Sequence, residues 1–261
     1  VDALARDPRA RVVLVGGDGT FMAGVSALAR RFPGALPPVS FVAGGTVATL
    51  ARHWGVQGSL ERAVARAVDG TELRARERPS LLVEADGTRR VGFTFGTGLV
   101  ARFFEEYYAA GAHGTRTAGG LFARVFVGSF LKTPLAERVL GALPCRLSVD
   151  GEACSGGGYS LIVSSVLEEV GLGLRVTYRA GEDRDRLHLV ASTAAPRELG
   201  PQALRVLRGR PLRPSGTLDR LVREFMVDFG TQPGPFVLDG DLYLGNCVRV
   251  TPGPTLTVIA D

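Results

Sequence analysis

Hydrophobic positions along the chain first follow an alternation of buried strands and helices. Arg11-Val12-Val13-Leu14-Val15 is a short β-branched apolar run that reads as a buried parallel strand, followed by Gly16-Gly17-Asp18-Gly19-Thr20 and a helix from about Phe21 to Arg31. The same order returns at once. Val39–Ala43 predicts a strand, Gly44-Gly45-Thr46 a loop, and residues 47–54 a helix stopped by Gly55, after which Ser59 caps a further helix ending at Asp69-Gly70. Two successive units of strand, glycine loop and helix predict an open α/β layer with both loops at the carboxyl ends of its strands.

From about Glu72 the pattern becomes short strands joined by Asp-Gly turns. Residues 80–85 and 88–95 flank Asp86-Gly87, residues 145–149 and 152–154 flank Asp150-Gly151, and a third hairpin is possible around Asp239-Gly240. A two-residue turn in the second hairpin places Leu147, not Cys145, opposite Cys154, which gives no reason for a disulfide. Helices are expected over 101–110 and 121–143, and strands over 159–166, 174–178 and 186–192. The predicted organisation is an α/β domain over residues 1–72 and a β-rich domain with helical insertions over 73–261.

Composition narrows the class. With 261 residues, 45% of them hydrophobic and 22% charged, the chain is globular, which excludes disordered, collagen-like and small disulfide-rich proteins. The net charge of +5 is carried almost entirely by arginine, Lys132 being the single lysine, so a lysine-based mechanism has little room. Nucleic acid is not expected as a partner, because the five Tyr and one Trp are not interleaved with basic residues. Cys145, Cys154 and Cys247 contain no CxxC pair and read as reduced thiols of a cytoplasmic protein, and His53, His113 and His188 lack ligand spacing. No apolar run reaches the roughly 18–20 residues of a membrane span, and no signal peptide is recognised. Without an initiator Met, Val1 is not read as the natural start.

The strongest chemical signal is the loop Gly16-Gly17-Asp18-Gly19-Thr20. A strand that ends in glycines and opens a helix lets backbone N–H groups approach phosphate oxygens, aided by the positive end of the helix dipole. Bare phosphate would repel Asp18, so the acid fits a nearby Mg²⁺ or a substrate hydroxyl. Alternatively Asp18 merely caps the following helix, which accounts for the acid but not for the three glycines around it. Gly44-Gly45-Thr46 gains weight from its position on the same sheet edge. Asp239-Gly240 is both a favoured hairpin turn and a candidate functional acid.

Together, the block at 16–20, the block Gly45-Thr46-Val47-Ala48-Thr49-Leu50-Ala51-Arg52 and the late Leu238-Asp239-Gly240-Asp241 resemble the diacylglycerol kinase catalytic domain family, which includes bacterial lipid kinases and the sphingosine and ceramide kinases. Gly92-Phe93-Thr94-Phe95-Gly96-Thr97-Gly98 falls where that family opens its second domain, and Gly253-Pro254 precedes a last strand as it often does there. The resemblance implies an α/β nucleotide-binding domain lacking its first strand here, a β-sandwich-like lipid domain, and a cleft site between them. It implies ATP and Mg²⁺ as cofactors and a lipid hydroxyl, such as that of diacylglycerol or a sphingoid or ceramide lipid, as acceptor. By position, Gly16, Gly17, Asp18, Gly19 and Thr20 would meet nucleotide phosphates, Asp18 the metal, and Gly45 and Thr46 would close the nucleotide site. Asp239, or its neighbour Asp241, would be the general base.

Several positions depart from the family pattern. Met22 and Ala23 stand where it has Asn or His and Glu, Ala48 and Thr49 stand where it has a polar pair, and the opening strand with its Asn-Pro-x-Ser-Gly loop is missing. The chain is therefore expected to be a fragment or to have compromised activity, and the alternative function is a non-catalytic lipid- or nucleotide-binding relative, with an NAD kinase-like enzyme behind it. Gly156-Gly157-Gly158 reads as a flexible connection. The aromatic residues Phe103, Phe104, Tyr107 and Tyr108 read first as core, with a lipid contact as the alternative. The stretch with Arg205, Arg208, Arg210 and Arg213 reads as a solvated face, or as a contact to anionic headgroups in a transient approach to the inner membrane surface. An unpaired sheet edge offers a route to a homodimer.

Overall fold

A computed structural model describes residues 12–33, 36–43, 50, 54, 61, 65, 74–111 and 114–260. The chain opens with β1 (Val12–Gly16), α1 (Asp18–Arg31), β2 (Val39–Ala43) and β3 (Arg74–Arg78). It continues with β4 (Leu81–Ala85), β5 (Thr88–Gly92), β6 (Thr94–Gly98), α2 (Leu99–Ala109), α3 (Thr115–Leu131) and α4 (Pro134–Leu140). Then come β7 (Arg146–Val149), β8 (Glu152–Ala153), β9 (Leu161–Ser165), β10 (Leu187–Ser192), and two short helices, α5 (Pro196–Leu199) and α6 (Ala203–Leu207), around a 3-10 turn at Gly200–Gln202. The last strands are β11 (Thr217–Val222), β12 (Phe225–Asp228), β13 (Gly234–Leu238), β14 (Asp241–Gly245), β15 (Cys247–Pro252) and β16 (Leu256–Ala260).

This is a mixed α/β fold with three sheets. The first has the order β1-β2-β16-β3, in which β1 and β16 both run parallel to β2 and β3 runs antiparallel to β16. The expected strands at 11–15 and 39–43 thus pair as parallel neighbours, Val12 facing Val39. The sheet also crosses the division expected at 72/73, because its other two strands come from residues 74–78 and 256–260. The remaining sheets are antiparallel and six-stranded, β11-β10-β9-β6-β13-β14 and β5-β4-β15-β12-β7-β8.

Each sheet owes its place to a core. Phe21, Val25 and Leu28 on one side of α1 pack with Val39, Phe41 and Val258 of the first sheet and with Trp54, Val91 and Phe93. The two six-stranded sheets meet face to face through Leu81, Val83, Leu147, Val149, Phe225 and Val250 on one side and Phe95, Ile162, Leu189, Phe236 and Leu238 on the other. The helices α3 and α4 cover the opposite face of β9 and β10 through Leu121, Val125, Val139 and Leu140 on Leu161, Val163 and Val190. Ser26 on α1 ties the first layer to β5, since its hydroxyl donates to the Val91 carbonyl at 3.1 Å and accepts from the Val91 N–H at 2.9 Å.

Four expected elements differ, each for a local reason. α1 begins at Asp18, three residues before the predicted start, so Asp18, Gly19 and Thr20 form its first turn. The expected strand over 88–95 breaks at Phe93 into β5 and β6, which lie in different sheets, because Asp239 takes the N–H groups of Phe93 and Thr94. The helix expected over 121–143 is two helices: Lys132 adopts the left-handed conformation at φ 53°, and Pro134 opens α4 behind Thr133. The strand expected over 174–178 is a run of turns, its Thr177 hydroxyl donating to the Leu167 carbonyl at 2.7 Å. In the β7–β8 hairpin the Cys154 N–H bonds the Leu147 carbonyl as expected, and all three cysteines are free thiols.

Candidate active site

The glycine loop and the late Asp-Gly hairpin meet. β1 ends at Gly16, and Gly17 leads in extended conformation into α1 without any side-chain cap. Asp18 is the first helical residue rather than the cap. Its Oδ1 accepts instead from the Leu50 N–H at 3.4 Å, reaching from the first glycine loop to the segment that follows the second. The N–H groups of a helix's first turn lack intrahelical acceptors, so Asp18, Gly19 and Thr20 present donors at the positive end of α1. A methyl group on Gly16 would lie 2.7 Å from Thr20 Cβ, and one on Gly19 would lie 3.2 Å from Asp241 Oδ2. That second contact brings residues more than two hundred apart in the chain to one place.

Asp239 and Gly240 form the two-residue turn between β13 and β14, with φ of 51° and 95° and Leu238 paired with Asp241. Asp86-Gly87 and Asp150-Gly151 adopt the same double positive φ, the type I′ hairpin signature. All three turn aspartates also clamp a neighbouring backbone. Asp86 accepts from the Asn246 N–H, and Asp150 from those of Arg223 and Glu224. Asp239 accepts from Phe93 at 3.0 Å and Thr94 at 2.8 Å, while its own N–H donates to the Thr94 carbonyl at 3.0 Å. The turn and the clamp are therefore structural at all three positions, and other features distinguish Asp239.

Those features are electrostatic. Burial pushes the Asp239 carboxyl up to about 8 against the pull of the Thr94 and Phe93 N–H groups, and the charges of Asp18 and Asp241 push in the same direction. Such a carboxyl exchanges its proton near neutral pH. Asp241 is exposed as a residue, but partial desolvation of its carboxyl raises its pKa, and a hydrogen bond from Tyr243 opposes the rise. Asp18, Asp239 and Asp241 thus form one interacting acidic group beside the N-terminus of α1.

Aromatic residues of α2 form one wall of this site. Tyr108 donates to the Gly240 carbonyl at 2.7 Å, and the Phe104 ring lies against Gly240. Phe103 and Tyr107 are partly buried against the core that α3 and α4 share with β9 and β10, as expected, whereas Phe104 lies against Gly240 and Tyr108 is 41% exposed, so the core assignment is corrected for those two. Arg90 adds a cation 4.5 Å from the Tyr243 ring. Met22 is 4% exposed within the core between the large sheets, so its departure from the family pattern is filled by packing.

Gly45 and Thr46, with Ala48, Thr49, His53 and His113, lie outside the described residues. Among the described residues no three His, Cys, Asp or Glu side chains are grouped as a metal site, and no helix is long and apolar enough to cross a membrane.

Two substitutions test this geometry. Gly92→Ala places its new methyl 2.8 Å from Asp239 Oδ2 and closer still to Leu238 Cδ1. Overpacking of this kind costs about 1–3 kcal/mol, so chemical denaturation should show a lower midpoint; an unchanged midpoint would refute the packing. Tyr108→Phe removes the hydroxyl from the Gly240 carbonyl, a loss of about 1 kcal/mol. Its exposed position predicts a small fall in melting temperature with no loss of secondary structure.

Similarity to known proteins points to the family that the motifs resemble. Residues 1–76 match the model of the diacylglycerol kinase catalytic domain. No curated protein matches the chain. Among solved structures, two from Bacillus anthracis str. Sterne assigned as diacylglycerol kinases resemble it with TM-scores of 0.65 and 0.63 at 14% and 15% identity, each match covering 96% of this chain and 78% of the other. A third from the same organism gives 0.58 at 15% identity, covering 96% of this chain and 76% of the other. In its first 76 residues by sequence, and along nearly its whole length by fold, the chain is similar to the diacylglycerol kinase catalytic domain family.

Proposed function

We propose that this protein is a lipid kinase that transfers the γ-phosphate of ATP to a lipid hydroxyl, such as that of diacylglycerol or of a sphingoid or ceramide lipid. The observation that carries the proposal is the approach of Gly19, in the first turn of α1, to the Asp241 carboxylate behind the Asp239-Gly240 turn. A phosphate-binding helix start facing a proton-accepting carboxylate is what phosphoryl transfer to an alcohol requires.

In this reading the backbone donors of Gly16, Gly17, Gly19 and Thr20 hold phosphate oxygens, and Gly45 and Thr46 close the nucleotide site. Mg²⁺ is commonly held by one or two carboxylates together with substrate phosphates, so Asp18 and Asp241 make a fitting protein share even without a three-ligand cluster. When bound, the ion neutralises charge on the phosphates. Asp239 takes the proton of the lipid hydroxyl as its oxygen bonds to the γ-phosphorus, and the bond from that phosphorus to the bridging oxygen of ADP breaks. Its carboxyl, pushed up to about 8, is matched to that proton. Asp241, exposed beside it, is the second candidate for this role.

The test is transfer of labelled phosphate from ATP to diacylglycerol, ceramide, sphingosine and monoacylglycerol in detergent micelles with Mg²⁺, using this chain and an upstream-extended one. A labelled lipid supports the proposal and names the acceptor. Folded protein that labels no lipid in either form would instead favour a non-catalytic binding relative.

A further inference from the structure

The stretches 107–136 and 199–218 contain no acidic residue. The first holds Arg116, Arg124 and Lys132, and the second holds Arg205, Arg208, Arg210 and Arg213. They are joined in space, since Gly200 packs directly on Ser129 near the end of α3. Among the described residues, none of these seven cations is paired with a carboxylate. Of the acids that bound the stretches, Glu106 pairs with Arg138 at 3.0 Å, Glu198 accepts from the Ala195 N–H at 3.1 Å and Asp219 bonds His188 Nε2 at 2.8 Å, while Glu137 is exposed on α4. Arg205 is drawn below the ordinary arginine value, first by desolvation and then by Arg213 and Arg210 beside it.

The same stretches carry most of the exposed apolar surface. Of the ten large hydrophobic residues exposed among the described ones, six lie here: Tyr108, Val127, Phe130, Leu131, Leu204 and Leu207. Phe130 is 58% exposed and Leu131 71%, at the tip of α3 next to Lys132. A groove of 490 Å³ between α3 and α4, lined by Arg124, Val127, Leu131, Pro134 and Leu135, continues this surface. Large side chains left in water among unneutralised cations suit an interface with apolar depth and negative charge at its surface, and an anionic bilayer has both.

We propose that the tip of α3 and the segment 203–213 together dock onto an anionic lipid bilayer. Phe130, Leu131, Leu204 and Leu207 enter the boundary between headgroups and acyl chains, and the surrounding arginines and Lys132 meet lipid phosphates. The docking is independent of the proposed catalysis, because binding is read without turnover.

The experiment is co-sedimentation of the full chain with phosphatidylcholine vesicles, with and without phosphatidylglycerol, at two salt concentrations. Binding is expected only with phosphatidylglycerol and is expected to weaken in high salt. Each basic residue near such a surface contributes about a fivefold change in affinity, so R205A/R210A/R213A should weaken binding by about a hundredfold. F130A/L131A should weaken it at both salt concentrations, with melting temperature and turnover on micellar substrate unchanged in both variants. Equal binding to the two kinds of vesicle would overturn the proposal. So would vesicle binding untouched by either variant, or a dimer that F130A/L131A dissociates in a protein that ignores vesicles.

Discussion

Asp239→Asn is expected to lower the turnover of lipid phosphorylation by about a hundredfold to ten-thousandfold, the usual contribution of a general base, while leaving the fold intact. The asparagine carbonyl can still accept from Phe93 and Thr94, and the turn at 239–240 tolerates Asn at positive φ. In the native enzyme, turnover should rise with pH and then level, since Asp239 accepts a proton only when ionised, with a midpoint below the metal-free value of about 8 because Mg²⁺ offsets the charges of Asp18 and Asp241. The stability effect has the opposite sign. A carboxyl whose folded value is about 8 binds its proton more tightly folded than unfolded, so its contribution is present below about 4 and is lost as pH rises toward 8. The variant carries no such penalty. Melting curves without Mg²⁺ should therefore place Asp239→Asn level with the native protein near pH 4 and above it at pH 9, by an amount on the order of a few kcal/mol. A variant less stable than the native protein at pH 9 would mean that the Phe93 and Thr94 donors hold Asp239 ionised, and the assignment as base would lose its physical support.

Asp18→Asn is expected to reduce turnover by about a hundredfold or more, as the loss of an electrostatic contributor to the transition state does, and to raise the Mg²⁺ concentration needed for half-maximal rate. A separate readout tests whether Asp18 faces the acid hairpin. The Asp18 charge helps to hold Asp239 up, so in melting curves without Mg²⁺ its removal should move the pH midpoint of the Asp239 contribution to lower pH. A reduced rate with an unmoved midpoint would leave Asp18 as a support for Leu50 alone, through the hydrogen bond at 3.4 Å.

Local physics made much of this protein legible from its sequence. The apolar runs at 12–15 and 39–43 read as neighbouring parallel strands and pair as such; the expected burial holds for β2, whereas β1 is half-buried with Val15 48% exposed. Asp-Gly at 86, 150 and 239 determines three hairpin turns, because both central residues must take positive φ. The glycine block at 16–20 determines a tight passage from strand to helix, visible in how close a methyl on Gly16 would come to Thr20.

Other features depend on contacts between residues far apart in the chain, which no local pattern encodes. The break at Phe93 exists because Asp239 captures two N–H groups that a continuous strand would use in its ladder. The return of residues 256–260 to the first sheet is decided by pairing with β2 and β3. The aromatic residues of α2 carry the same helical spacing whether they face a core or a site, and only the bond from Tyr108 to the Gly240 carbonyl distinguishes the two. The unusual character of Asp239 likewise arises in the folded chain alone: its identity was in the sequence, but its raised pKa comes from burial and from two other acids that the fold brings beside it.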